Sequence, residues 1–371
     1  MKLKHLDLFC GPGGFATGFE WAGFQTVAGI DIHQPSLSTF ARNHPKAATL
    51  NADVRDVSAE QILSLTKTKS FDVMSAGVPC EGFSMANRNR TKFNDARNFL
   101  FIEFLRLAEA LQPRVILVEN VANLTRHAGG VFAEEIENGM RALGYRTTSK
   151  IVNAIDFGVP QRRRRVMFLG FKDEDAKFVW PSTLDQDPLT VSDAILGDLP
   201  PLDSNEASTT YAGEAITPYQ KLMRGAQVEL LNHQAPRHPP ETVERISKTL
   251  PGEPMYENYK QRIRLHPGKP SPTVISGGIR PQFAYGHPTQ PRGLSIRERA
   301  RLMSFPDSYE FLGGLTQGRV QTGDAVPPLL AKAVAGEIRR ALTSQNNSSD
   351  DLEVVHVRDL KKQLDPEARL F

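Results

Sequence analysis

Cys80 is one of two cysteines in 371 residues, and it follows Gly77-Val78-Pro79 on the loop that leaves a short apolar run, Phe71 to Ser75. Such a run reads as a buried strand. The loop beyond its carboxyl end is where open α/β sheets place reactive groups. A thiolate there is a strong nucleophile once its pKa is lowered. Alone, a single Cys reads better as a small buried hydrophobe, so its neighbours decide. Glu119 ends the apolar run Val115 to Val118 and should emerge on the same sheet edge. A Cys and a Glu converging on one pocket would join a nucleophile to an acid–base group. Upstream, Asp7-Leu8-Phe9-Cys10-Gly11-Pro12-Gly13-Gly14-Phe15-Ala16 joins a strand to a helix through glycines. Glycines let a backbone approach a ligand closely, and a helix N-terminus offers N–H donors. Gly11, Gly13 and Ala16 fit a dinucleotide pattern, with Asp31 placed for a ribose hydroxyl. That pattern implies a nucleotide-like cofactor without choosing which. For Asp31 and Asp53, capping of a helix or turn is the rival role.

The elements that position these residues alternate in type over the first 170 positions, which predicts a parallel α/β sheet. Strands are expected at Leu3 to Phe9, Thr26 to Ile30, Leu50 to Val54 (carrying Asp53), Phe71 to Ser75, Val115 to Val118, Tyr145 to Val152 and Val166 to Phe171. Helices are expected at Phe15 to Ala22 and around Phe99, Leu100, Phe104, Leu107, Ala108 and Leu111. After Phe171 periodicity fades and Pro200-Pro201, Pro239-Pro240 and Gly277-Gly278 punctuate an irregular stretch. Helical pattern returns at Ile296 to Met303 and Val326 to Leu342, and a polar tail begins at Ser344.

Composition bounds the class. At 40% hydrophobic and 23% charged the chain reads as a soluble globular protein. No apolar run approaches a membrane span, and the first residues lead straight into a strand. Two cysteines exclude a disulfide framework, no Cys-x-x-Cys pair suggests zinc, and a reducing cytoplasm is the expected compartment. Net charge is +3, compatible with a polyanionic partner. Its distribution says more: Asn232 to Ser295 holds nine Lys/Arg against four Asp/Glu, and Arg162 to Arg165 are consecutive.

Six motifs in order make the chain resemble the DNA (cytosine-5) methyltransferases of bacterial restriction-modification type. The glycine loop resembles the family's S-adenosylmethionine (SAM) loop. Gly77-Val78-Pro79-Cys80-Glu81-Gly82-Phe83-Ser84 resembles its nucleophile motif, Glu119-Asn120-Val121 its carboxylate motif, and Gln161-Arg162-Arg163-Arg164-Arg165 its Gln-x-Arg-x-Arg motif. Arg297 to Pro306 and Gly323-Asp324-Ala325-Val326-Pro327-Pro328 resemble two more. The resemblance implies a Rossmann-like SAM-dependent sheet with an inserted, smaller, irregular, mostly β/loop target-recognition domain. Catalytic, SAM-binding residues would be 1–171 and 296–343, target recognition 172–295, and 344–371 a polar tail. Cys80 would add to carbon 6 of a flipped-out cytosine, and Glu119 would contact ring N3 and the exocyclic amine. Arg163 and Arg165 would hold the base's carbonyl oxygen and nearby loops, sharing a strand face because they are two residues apart. Phe9, Gly11, Gly13, Asp31, Asp53, Val54, Pro79 and Leu100 would line the SAM pocket, closed by Asp324 and Val326. The basic loop with Ser84, Arg88 and Arg90 would close over DNA, as would Arg237, Lys260, Arg262, Arg264, Lys269 and Arg280 in the insertion. The resemblance further implies double-stranded DNA as partner, a cognate restriction endonuclease acting on the same site, and a monomer.

Three positions depart from the family pattern. Glu81 stands where glutamine is usual, Asp324 where asparagine is usual, and Cys10 where a small residue is usual; Cys10 is read as packing. Rival readings are an RNA cytosine-5 methyltransferase on the same fold, a DNA-binding relative with a dead site, and a nicotinamide dehydrogenase. The long insertion argues against the first, the intact Cys80, Glu119, Arg163 and Arg165 against the second, and the motifs beyond the glycine loop against the third.

Overall fold

The computed structural model describes residues 2–79, 100–173, 175–276 and 284–343. Cys80, Glu81, Ser84, Arg88, Arg90, Arg280 and the tail from 344 lie outside them. The described chain divides into two compact units. One comprises 2–153, 164–183 and 330–343; the other comprises 154–163 and 184–329. Among the described residues no helix is long and apolar enough to cross a membrane.

The first unit is built on seven strands: β1 (Lys4–Leu8), β2 (Gln25–Asp31), β3 (Ala48–Asn51), β4 (Val73–Gly77), β5 (Val115–Val121), β6 (Arg146–Asn153) and β7 (Arg164–Phe171). Their order in the sheet is β3-β2-β1-β4-β5-β7-β6. Helices α1 (Gly14–Trp21), α2 (Gln34–Asn43), α3 (Ala59–Thr66), α4 (Leu100–Leu111) and α5 (Val131–Ala142) intervene. The first five strands pair in parallel, as the alternating pattern predicts. The expectation of parallel strands fails at β7, which is antiparallel to both β5 and β6. The helical crossover α5 carries the chain from β5 to a strand running the same way, β6, and leaves a gap between them. With no helix to carry it back to the other end, β7 fills that gap in reverse. Packing follows the helical period: Phe104, Leu107, Ala108 and Leu111 of α4 are buried at one face. They share a core with Ala133, Ile136 and Met140 of α5 and with Leu6, Leu8, Met74 and Ile116 of the strands.

Asp53 corrects one sequence boundary. β3 ends at Asn51, and Asp53 instead caps a short 3-10 turn, Val54–Asp56, by accepting from the Arg55 amide. An Asx side chain that can satisfy its own downstream backbone competes with strand geometry and here wins.

Among its described residues the second unit contains five short α-helices, α6 (Val191–Ile195), α7 (Pro218–Arg224), α8 (Pro240–Lys248), α9 (Ile296–Leu302) and α10 (Gly314–Asp324). Among its described residues the β content expected of the insertion amounts to isolated bridges such as Ala207–Gln234 and Pro254–Ile263. Capping boxes at Thr190/Asp193, Thr217/Gln220 and Ser295/Glu298 start three of the helices. The long connections still need hydrogen-bond donors for their carbonyls. Buried arginines provide them. Arg297 donates to Leu231, Pro306 and Tyr309, and Arg299 to Ile275 and Arg319. Burial pulls both guanidinium groups down to about 10, so they remain charged at neutral pH. Arg301 forks between Asp198 and Asp307 at 2.6–2.9 Å, with all three side chains fully buried. Helix α11 (Pro328–Thr343) follows, and from Leu330 onward it belongs to the first unit.

Candidate active site

Parallel pairing brings the carboxyl ends of β1, β2, β4 and β5 to one sheet edge. Between β1 and β4 the connections leave in opposite directions, the switch point at which such sheets bind ligands. The glycine loop leaves β1 and Gly77-Val78-Pro79 leaves β4, so both flank that point.

The loop is held in an unusual shape. Phe9, Gly11 and Gly13 all have positive φ, at 51°, 54° and 98°. Two are glycines, which reach this region without penalty. Phe9 is not, and a bulky residue there stores strain that the surroundings must offset. Asp31 supplies part of that support: its Oδ2 accepts from the Gly11 amide and its Oδ1 from the His33 amide, both at 2.7 Å. Burial pushes the Asp31 carboxyl up from its ordinary range. Asn51 donates to the Asp31 and Ile32 carbonyls and fixes the end of β2. Cys10 is buried with Ala16, Leu37 and Phe40, and burial raises its thiol well above the usual range. It packs and is not poised to react.

Farther along the edge, Arg55 engages the Asp53 carboxylate through Nε and Nη2. Arg106 of α4 donates to the Val54 and Val57 carbonyls, tying that turn to the helix that begins at Leu100. Sequence reading missed Arg106, and also Ile32, which is 65% exposed beside Asp31. An apolar side chain left so open next to a cradle of polar groups is a signal visible only once the strand end is placed.

Glu119 lies within β5, in register with Gly77 of β4. It is 7% exposed. Arg165 Nε lies 2.7 Å from its Oε1. The contact is an ion pair off the hydrogen-bond axis, so Oε1 keeps capacity for a further donor. Antiparallel β7 makes this pair possible: it brings Arg165 opposite Val121, at the carboxyl end of β5. Asn120 donates to the Val78 carbonyl and holds the segment that runs toward Pro79.

The family described as C-5 cytosine-specific DNA methylase matches residues 3–340. The chain belongs to that family. It is a DNA (cytosine-5-)-methyltransferase of the restriction-modification type. Among its relatives, the type II methyltransferase M1.HphI of Haemophilus parahaemolyticus is 36% identical, over 93% of this chain and 89% of that one. M.DdeI of Desulfomicrobium norvegicum is 30% identical, over 91% and 88%. A solved structure described as a prophage-encoded DNA modification methyltransferase of E. coli superposes with a TM-score of 0.79 at 27% identity, covering 92% of this chain and all of that one. The fold is also that of the S. pombe Dnmt2 methyltransferase, with a TM-score of 0.62 at 18% identity, covering 92% of this chain and all of that one.

Arg163, Asp324 and Val326, the other residues expected at the site, belong to the second unit. Arg163 precedes β7 and does not share a strand face with Arg165, contrary to the spacing argument. Its Nη groups donate to the Val274, Gly323 and Ala325 carbonyls at 2.9–3.0 Å, and it is buried. The i, i+2 rule holds only while both residues are in one strand, and β7 begins at Arg164. Gln161 similarly ties Leu302 and Val274. Gly323 packs so tightly that a Cβ would sit 2.0 Å from the Ser276 amide, which explains glycine before Asp324. Asp324 is exposed and Val326 buried.

Of the basic residues read as DNA-facing, Arg237, Lys260 and Lys269 are exposed. Arg262 lies over the Tyr259 ring at 4.4 Å and near Tyr256, which Arg245 also covers at 4.7 Å. Arg264 has a different duty: Nε and Nη1 donate to the carbonyls of His287, Ile246, Ser247 and Thr249.

Proposed function

We propose that the enzyme transfers the methyl group of SAM to carbon 5 of a cytosine extruded from double-stranded DNA, with Cys80 as the covalent nucleophile. The observation that carries this reading is Glu119 Oε1, a buried oxygen without an aligned donor beside the strand end that leads to Pro79 and Cys80. A cytosine presents a ring nitrogen and an exocyclic amine that can meet such a carboxyl group.

The residues at the β1 and β2 ends fit SAM. A Cβ on Gly11 would meet nothing within 4 Å, α1 starts without a side-chain cap, and Ile32 offers exposed apolar surface beside Asp31. We assign Phe9, Gly11, Gly13, Asp31, Asp53, Val54, Pro79 and Leu100 to this cofactor, with Asp324 and Val326 as further contacts. When bound, SAM supplies an electrophilic methyl group. The protein does the rest. The Cys80 thiolate would add to carbon 6, pushing the carbon 5–carbon 6 π electrons onto carbon 5, which takes the methyl group. Loss of the carbon 5 proton to a base then re-forms the double bond and expels the thiolate. Glu119 holds N3 and the amine as charge builds on the ring, and Arg165 orients Glu119. Arg163 acts one step away, as a clamp on the loops that carry Val274 and Gly323 to Ala325.

Extrusion of the base costs roughly a few kcal/mol of stacking and pairing, which DNA contacts must offset. We assign those contacts to Ser84, Arg88 and Arg90 and, within the recognition segment 172–295, to Arg237, Lys260, Arg262, Lys269 and Arg280. The enzyme would act as a cytoplasmic monomer that protects DNA from an endonuclease cutting the same site. A duplex in which the target carries 5-fluorocytosine tests the chemistry, because fluorine cannot leave as a proton does. A gel-stable adduct should form with SAM present and be absent in Cys80→Ser; an adduct that survives this substitution rejects Cys80 as nucleophile.

A further inference from the structure

The buried guanidinium groups of the second unit are tied to partners. Arg163, Arg264, Arg297 and Arg299 donate to backbone carbonyls, and Arg292 and Arg301 grip carboxylates. Arg319 of α10 is different. It is half-buried, and among the described residues its guanidinium has no hydrogen-bond or ion-pair partner. Its Nε is enclosed by protein without an acceptor. The two Nη groups, neither enclosed nor bonded, reach solvent at the end of the fork. Asp324 is the only acidic residue of this helix, and at five positions on it misses the i+3 and i+4 places where side chains meet. Burial, with no anion to oppose it, pulls the Arg319 guanidinium below its usual range. The fold thus keeps a partly dehydrated cation at a cost to itself.

The surroundings of Arg319 suit a polyanion. Its carbonyl accepts from Arg299 Nη2 at 3.0 Å, so a second, buried cation lies alongside. The preceding residue, Gly318, packs on Ile296, whose side chain a Cβ would meet at 2.8 Å. Three positions before Ile296, the Gly293 amide donates to His238 Nε2, and Arg237 next to that histidine is exposed. One turn farther on the same face of α10, Gly323 packs against Ile275 and Ser276, four positions before Arg280 in the sequence. The helix therefore lies against segments that carry residues we assign to DNA. In sequence it falls outside 172–295, but the compact unit extends to Leu329 and includes it. We propose that Arg319 is a DNA-binding residue, whose Nη fork takes a backbone phosphate of the bound duplex. The phosphate is the anion that the folded protein does not supply, and a guanidinium fork matches two of its oxygens. The proposal rests on the reading of double-stranded DNA as substrate, and it extends the DNA face from the recognition segment to α10.

Binding of a fluorescent random-sequence DNA duplex to the full chain across salt concentrations tests this, with urea unfolding of the free protein and calorimetric titration of SAM beside it. Arg319→Met keeps the length and helix propensity of the side chain and removes its charge. Duplex binding should weaken about 10-fold, and the plot of log binding constant against log salt should lose about 1 from its slope. The urea midpoint should equal or exceed that of wild type, because the free protein loses a dehydrated cation and no bond. Arg319→Lys keeps the charge and should restore the slope, with binding still weaker than wild type for want of the fork. Arg319→Gln serves for the same measurements if the Met variant does not fold. SAM affinity should be unchanged throughout. An unmoved salt slope in Arg319→Met overturns the proposal. If the urea midpoint falls as well, the role is structural, and if SAM affinity falls instead, the guanidinium belongs to the cofactor. Wild type that ignores the duplex at every salt concentration would reject the reading of DNA as substrate, and this contact with it.

Discussion

The two units satisfy their backbones by different means. In the first, ladders between seven strands pair the carbonyls and amides, so few side chains are needed for that work. Its charged pair at the sheet edge, Glu119 and Arg165, is accordingly not spent on backbone carbonyls of the ladder, and it is the pair to which we assign chemistry. In the second, where the described residues form only isolated bridges, guanidinium groups replace the ladder. Arg163, Arg264, Arg297 and Arg299 together reach carbonyls from Leu231 to Ala325. Arg292 grips Glu298 with two hydrogen bonds while also donating to Leu202 and Gly293. A guanidinium presents five donors in a rigid fork and keeps its charge, which suits it to this task better than lysine. The lesson is that an arginine-rich segment in a DNA-modifying enzyme is not by that fact a DNA-binding surface.

The sharpest way to break this contrast is to remove a structural arginine from one unit and the carboxylate we assign to catalysis from the other. Arg301→Met leaves Asp198 buried without its cation and Asp307 with Arg297 alone, 3.7 Å away. Breaking such a pair from one side costs about 3–5 kcal/mol, so the urea midpoint of the second unit should fall steeply. Replacing both aspartates by asparagine in the same variant should recover much of the loss. Glu119→Gln should show the reverse profile. Gln keeps the shape but cannot act as an acid or base, so turnover should drop by about 10² or more, while the unfolding midpoint moves by about 1 kcal/mol or less. Equal stability losses in Arg301→Met and Glu119→Gln would remove the distinction between the units.

A smaller effect separates the units by pH. Burial holds His238 and His287 down at about 4 in the folded protein. Unfolded, each takes up a proton near 6.5. Their cost is therefore absent above that value, grows as pH falls toward 4, and levels off below. Glu298 adds to the same acid limb. Burial opposes its charge, but Arg292 and His287 more than offset this and hold it far below the usual range, so its stabilisation is lost as pH falls. Asp7 in the first unit is opposite in sign: raised to about 7, it is without penalty below the ordinary Asp range and destabilises as pH climbs to neutrality. Hydrogen exchange, corrected for intrinsic rate, should show α9 losing protection between pH 6.5 and 5 while β1 and β4 do not. Loss of protection in β1 and β4 alone would contradict the assignment.

What could be read in advance follows from the range of the interactions. The glycine loop, the strand ends and Glu119 were legible because apolar runs and turn residues act locally. The Arg165–Glu119 pair was not. It depends on β7 lying antiparallel beside β5, and no pattern within either strand states its partner. Asp53 reads as a strand residue from the apolar run beside it, and its rival role, capping, is the one the turn at Val54–Asp56 realises. The arginines of α9 were recognised as a motif without a role. Charged residues are almost always exposed, and the burial of Arg301 becomes visible only when Asp198, 103 positions earlier, is folded against it.

Arg262 and Arg264 offer the finest test, because they are two residues apart and were read alike from sequence. Arg264 is tied to four carbonyls, whereas Arg262 stacks on Tyr259 and its charge is assigned to DNA. If that assignment is right, Arg262→Gln removes one phosphate contact. The slope of log binding constant against log salt should then become shallower by about 1, with stability changed by less than about 0.5 kcal/mol. Arg264→Gln should leave the salt slope alone and destabilise the second unit by about 1 kcal/mol, because part-buried carbonyls lose their donor. A change of salt slope in Arg264→Gln would place that guanidinium on the DNA after all, and the absence of one in Arg262→Gln would remove Arg262 from the DNA contacts.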